Sequence, residues 1–266
     1  MKFLITALLC CISAVLYAQE SKSTVSSPNS HAPIGVMGDH LHNKGEVMFS
    51  YRLMRMNMKD NLIGSNEVSP VTIATTVPNM FAGMTGMPPT LRVVPANMTM
   101  NMHMLGMMYA PSDWITLMGM GMYIQNDMDL VTFQGGSGTT ELGTFSTSTS
   151  GIGDIKLSAL IKLVKKEANS IHLNVGVSLP TGSITETSEV LTPMNMRPTV
   201  RAPYPMQLGS GSFDFLPGIT FNRRAENFGW GGQLSGTLRL SDNKQDTDLA
   251  ISWICLLGQV TGSILG

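Results

Sequence analysis

The residues with the most distinctive chemistry in this chain are its 22 methionines. They are not scattered. Met98, Met100, Met102 and Met104 alternate with Thr99, Asn101 and His103, and Met118, Met120 and Met122 alternate with Leu117, Gly119 and Gly121. Thioethers are soft donors that suit Cu(I). Met37, His40 and His42 lie close together before the first strand, and they form the candidate metal cluster, with copper as the ion. Two arguments weigh against metal in the strands. Residues i and i+2 stand ~7 Å apart along one strand, too far to share an ion without help from another strand. Methionine is also simply a flexible apolar filler, adaptable to lipid or to a neighbouring strand. Packing is therefore the expected use, and copper binding or tolerance is kept as an alternative function.

Hydrolytic chemistry needs a nucleophile, a base and an orienting group in contact. Ser178 and His172 can share a strand face, but six residues of extended chain separate them by roughly 20 Å. No Gly-x-Ser-x-Gly elbow occurs, and no enzyme is expected. Gly135-Gly-Ser-Gly138 and Gly209-Ser-Gly211 read as loop punctuation, since no helix follows them to make a phosphate cradle. The remaining candidates are polar side chains on strands: Arg52, His103, Lys156, Lys162, His172, Asp214 and Arg239. Facing a lumen, they would tune the selectivity of a pore or fill it with a cross-strand ion-pair network.

The elements that must position these residues are strands. Ile171 to Leu179 sets Ile171, Leu173, Val175, Val177 and Leu179 on one face and His172, Asn174, Gly176 and Ser178 on the other. The same period of two runs through 47–53, 155–163, 213–221 and 228–240, and through the two methionine segments. An eighth, 249–257, is apolar on both faces. Only 13% of the chain is charged, against roughly 25% in soluble domains. After the first twenty residues no apolar run reaches the length of about 20 needed for a membrane helix. Short turns at 111–113, 166–169 and 223–227 alternate with long Gly-, Ser-, Thr- and Pro-rich segments at 57–97, 126–150 and 180–207. That asymmetry is the outer-membrane arrangement, with the short turns periplasmic. Tyr109, Trp114, Phe221 and Phe228 flank short turns, where an interfacial girdle would sit. The expected fold is all-β, an antiparallel transmembrane barrel of the outer-membrane type with about eight strands over 45–266. Its apolar faces are expected to meet lipid and its polar faces water.

The N-terminus supports export. Lys2, the apolar run from Phe3 to Leu16 and Ala18 read as a signal peptide over 1–18. Residues 19–44 read as a polar periplasmic leader. Cys10 and Cys11 fall in the signal, so Cys255 alone remains and no intrachain disulfide is expected. The net charge of −1 offers no electrostatic case for nucleic acid. The expected partners are outer-membrane lipid and small solutes.

Several segments together resemble one family. They are His31-Ala-Pro-Ile-Gly-Val-Met-Gly-Asp-His-Leu-His42, Met104-Leu-Gly-Met-Met-Tyr-Ala-Pro-Ser-Asp113, Gly151-Ile-Gly-Asp-Ile-Lys-Leu-Ser158, Leu179-Pro-Thr-Gly-Ser183, Pro203-Tyr-Pro-Met-Gln-Leu-Gly-Ser-Gly211 and Trp230-Gly-Gly-Gln-Leu-Ser-Gly236. The chain is similar, over 31 to about 240, to the outer-membrane barrel transporters labelled for the MetA pathway of phenol degradation. The resemblance implies a barrel and, from the label, uptake of aromatic compounds. It implies no catalytic residues. From Ser252 onward the chain departs from the family, which continues with further strands. The departure reads as a truncated or frameshifted end, so an incomplete barrel is expected. The functional expectation is a channel or transporter for small solutes, aromatic ones among them, with a purely structural barrel as a further alternative.

Overall fold

The computed structural model describes residues 38–166, 169–225, 228–240 and 252–261. The proposed signal peptide, Met37 and most of the leader lie outside them. The chain forms one strongly curled antiparallel sheet, a half-barrel. Its strands are β1 (Val47–Lys59), β4 (Val93–Ser112), β5 (Ile115–Phe133), β6 (Glu141–Ile152), β7 (Ile155–Lys165), β8 (Asn169–Leu179), β11 (Asp214–Ala225), β12 (Phe228–Arg239) and β13 (Ser252–Thr261). The order is β1-β4-β5-β7-β8-β11-β12-β13, with β6 added to β5. Small elements decorate the long connections: the hairpin β2 (Asn61–Ile63) and β3 (Asn66–Val68), helix α1 (Pro70–Thr76), and the pair β9 (Thr187–Glu189) and β10 (Thr199–Arg201). No helix among the described residues is long and apolar enough to cross a membrane.

The expected antiparallel all-β architecture is present, with two differences in its elements. Residues 126–150 are not a long loop. β5 runs on to Phe133, and β6 returns along it from Phe133↔Glu141 to Tyr123↔Ile152. β7 then pairs with the lower half of β5, from Met120↔Lys156 to Ile115↔Ile161. β6 and β7 are thus two halves of one return strand, broken at Gly153 and Asp154. The alternation in β6 escapes notice because, Phe145 apart, Thr144 to Ser150 is hydroxylic on both faces: Phe145, Thr147 and Thr149 are buried while Ser146, Ser148 and Ser150 are exposed. The second difference is at 57–97, where β1 extends to Lys59 and α1 forms. Ser69 caps α1 by accepting the Thr72 N–H, and Pro70 opens it where its missing donor costs nothing.

The short connections between β4 and β5, β7 and β8, and β11 and β12 lie at one end of the sheet. The long segments 60–92 and 180–213 lie at the other. There they cover opposite faces of the extended β4–β5–β6 hairpin: 180–213 lies on the Met128 and Leu130 side, and α1 lies on the Val131 side. Ile73 and Ala74 of α1 bury against Val94 and Phe133. Leu191, Ala202 and Met206 bury against Met98, Met128, Leu130 and Phe145. Among the described residues, β1 and β13 each pair along one edge only.

Candidate functional site: the concave face

Paired residues in an antiparallel ladder share a face, so the register assigns the concave side directly. One row across four strands is Lys156–Ser178–Asp214–Arg239, and another is Lys162–His172–Thr220–Gln233. His172, Ser178, Asp214, Thr220 and Gln233 are all buried. Arg239 Nη1 donates to Asp214 Oδ2 at 3.0 Å, and Ser212 Oγ donates to Asp214 Oδ1 at 2.7 Å. Thr220 Oγ1 accepts from Gln233 Nε2 at 2.9 Å and from Asn174 Nδ2 at 3.2 Å. Arg52 pairs with the buried Met104 and joins the same face. Six of the seven strand candidates therefore stand on the concave side.

His103 does not. It lies on the convex face, where Tyr51 Oη sits 2.8 Å from its Nδ1. The correction has a plain cause. His103 shares parity with Leu105, Met107 and Tyr109, which are exposed on the convex side, and a strand cannot turn one residue of a parity class inward alone. The methionines of β4 other than Met107 consequently face the interior rather than the outside. The expectation that each apolar face meets lipid fails for this strand, because both of its faces are apolar near the short turn.

The two sides differ in kind. Exposed large apolar residues crowd the convex face: Phe49, Leu53, Leu105, Leu117, Leu157, Val175, Val177, Ile219 and Leu234. A groove of about 450 Å³ runs among Phe49, Leu105, Met107 and Leu157, floored by Gly119 and Gly121. Trp230 packs on Phe221 near one short turn, with ring centroids 5.0 Å apart. The side chain of Phe228, the fourth expected girdle residue, lies outside the described residues. The concave face instead divides into a polar wall on β7, β8, β11 and β12 and a methionine wall on β1, β4 and β5.

Residues 38–46 cross this interior at the short-turn end. His172 Nε2 lies 2.8 Å from the Gly38 carbonyl, Asn222 Nδ2 donates to the Asp39 carbonyl at 2.6 Å, and the His42 N–H donates to Thr116 Oγ1 at 3.1 Å. Gly38 takes a left-handed φ of +63°, and a Cβ there would meet Leu160 at 3.0 Å. Of the expected metal cluster, His40 and His42 stand edge to face with ring centroids 4.8 Å apart. Each is engaged by an acid: His40 Nδ1 lies 2.7 Å from Asp39 Oδ1, and His42 Nδ1 lies 3.3 Å from Glu46 Oε2. Burial, and then the nearby His40, hold the His42 pKa below its ordinary value. Hydrogen bonds to Asn43 hold that of Glu46 down. Among the described residues, no three His, Cys, Asp or Glu side chains gather as a metal site.

Two buried charges were missed by sequence reasoning. Asp154, at the break between β6 and β7, accepts the Gly182 N–H at 2.9 Å and the Ser210 N–H at 2.7 Å. Gly182 and Gly209 pack backbone to backbone beside it, and a Cβ on Gly182 would approach the Leu208 carbonyl to 2.6 Å. Three separately noticed segments, around 151–158, 179–183 and 203–211, thus meet at one carboxylate. Arg92, 2% exposed, donates to the carbonyls of Ala74, Gln134, Gly135, Ser137 and Gly138. Its guanidinium also lies over the Phe133 ring, 5.5 Å from the centroid. It fastens α1 to the β5–β6 turn. No family model matches the chain, and no curated protein matches it.

Proposed function

We propose that the chain works in an outer membrane as a β-barrel passing small solutes, aromatic compounds among them, along its concave face. One observation carries the reading: exposed large apolar side chains sit on the convex side, while charged and amide side chains line the concave side. A soluble sheet that bound an apolar ligand inside would be built the other way round. The loop-length asymmetry and the low charge agree with it. Lys156, Lys162, Arg52 and Arg239 outnumber Asp214 on the concave wall, so the path favours small anions such as aromatic carboxylates. The methionine wall adds soft apolar contact of the kind aromatic rings accept.

The reading requires that the edges of β1 and β13 left unpaired among the described residues be covered in the membrane. An unpaired row of N–H and C=O groups in lipid costs several kcal/mol per group. Planar-bilayer conductance of the purified chain tests the proposal. Conducting channels whose reversal potential in a salt gradient reports anion preference are expected, and Lys156→Glu with Lys162→Glu should reverse that preference. A chain that stays soluble without detergent, or inserts and never conducts, would overturn it.

A further inference from the structure

We propose that the methionines of β1 and β4 form a binding site for a soft monovalent cation, Cu(I) or Ag(I), at the long-loop end of the concave face. The cross-strand pairs Met54–Met102, Met56–Met100 and Met58–Met98 place six thioethers in a ladder of three successive rungs. Directly opposite residues on one face have Cβ atoms about 4.5–5.5 Å apart. Each rung therefore offers two sulfurs to one ion, which neither strand could do alone. The middle rung continues to Asn126 of β5, paired with Met100. The Nδ2 of Asn126 donates to Thr149 Oγ1 at 3.4 Å, while its Oδ1 is buried without a partner. An amide oxygen only accepts, so a cation held at this rung would satisfy it.

Packing explains part of the ladder and not the rest. Met98 belongs to the core under the long loops, and Met100 packs against it. Met54, Met56 and Met58 stay 36%, 40% and 38% exposed. Strand positions that only fill space favour Val, Ile and aromatic residues, yet three successive concave positions of β1 are methionine. The charge pattern fits a monovalent ion. Arg52 and Lys156 pair with Met104 and Met120, toward the short-turn end, and Arg55 and Lys59 have the opposite parity on β1. No residue of the ladder is a carboxylate, so the donor set selects soft cations over Mg²⁺ or Ca²⁺. Binding is coordination by neutral donors, with no proton released and no change of oxidation state. It is independent of whether the interior conducts.

The test uses the full chain in detergent micelles, labelled with ¹³C at the methionine methyls and titrated with Ag(I), which needs no reductant. Methyl resonances of the ladder should shift and saturate, while those of Met107 on the convex face and Met194 in the 180–213 loop stay fixed. Thioethers do not titrate, so the affinity should hold between about pH 7 and pH 5, where histidine ligands lose metal to protons. Met56→Leu with Met100→Leu, nearly conserving volume, should weaken binding at least tenfold, and Met107→Leu should not. If the double variant fails to fold, the shift pattern of the unaltered chain still decides. No saturable shift, shifts spread evenly over all methionines, loss of affinity in acid, or full binding by a folded double variant would each overturn the proposal.

Discussion

Replacing Asp154 by alanine should release the 180–213 loop without opening the sheet. The carboxylate is 7% exposed and takes two backbone N–H groups, from Gly182 at 2.9 Å and Ser210 at 2.7 Å. Hydrogen bonds to a charged group contribute about 1.5–3 kcal/mol each, and a buried donor left unpaired costs about 1–3 kcal/mol. These figures describe one loss from two sides and are not added, so two donors give a total of about 2–6 kcal/mol. Water entering the vacated space moves the outcome toward the lower end, where about 2 kcal/mol is a ~30-fold change in the docking equilibrium. Neither the β5–β6 nor the β5–β7 ladder uses the Asp154 side chain, so the loss falls on the loop. Amide hydrogen exchange reads it directly. The amides of Gly182, Ala202, Leu208 and Ser210 should exchange at least ~30-fold faster, and those of Leu173 and Ile219 should keep their rates. Asp154→Asn should release the loop as well, because its NH2 group meets one N–H donor with another. Loop exchange changed by less than about threefold, or sheet amides accelerated equally, would refute the reasoning.

Single cysteines placed in a Cys255→Ser background at Val175 and Leu105 should resist a water-soluble thiol reagent in membranes, while those at Lys156 and Lys162 react; an inverted pattern would reverse the face assignment. The docking of 38–46 should weaken in acid. Burial holds the His42 pKa below the ordinary 6.5, so the released segment binds protons that the docked one excludes. Docking is then fully stable above about pH 6.5 and is lost as pH falls through the docked pKa. Exchange of the Gly45 amide, which donates to the Ala110 carbonyl, should quicken on acidification, and His42→Gln should reduce that dependence.

How much could be read beforehand depended on how far the two faces of a strand differ. β8 alternates Leu and Val with His, Asn and Ser, and both its existence and its faces are legible. β6 alternates threonine with serine, so its period has no hydrophobic amplitude, and only pairing with β5 reveals it. β4 is apolar at both parities near its short turn, and the choice of face there rests on Leu105 and Tyr109. That shared parity with His103 was visible in the sequence and was the signal to use. Asp154 gave no such signal. A single Asp after Gly-Ile-Gly acquires a role only when loops far away in sequence bring Gly182 and Ser210 to it. Arg92 is similar, since its acceptors are backbone carbonyls and leave no trace in residue types.

The two ends of the concave face are covered through different contacts. At the long-loop end the 180–213 segment is held by one apolar cluster and by a carboxylate accepting two amides. The short-turn end is crossed by residues 38–46, held to the polar wall by the contacts of Gly38 and Asp39 with His172 and Asn222 and to β5 by that of His42 with Thr116. Its docking rests on these contacts, on the Lys44 and Gly45 N–H groups donating to Asp113 and to the Ala110 carbonyl, and on what it buries, chiefly Gly38 against Leu160 and the paired imidazoles. If the proposed barrel conducts, this segment is the element expected to gate it, from the short-turn side. His172→Ala removes one of these anchors without touching the long-loop end. It should raise open probability at neutral pH while leaving loop exchange around Asp154 unchanged; a quiet channel with loosened loops would place the gate at the other end.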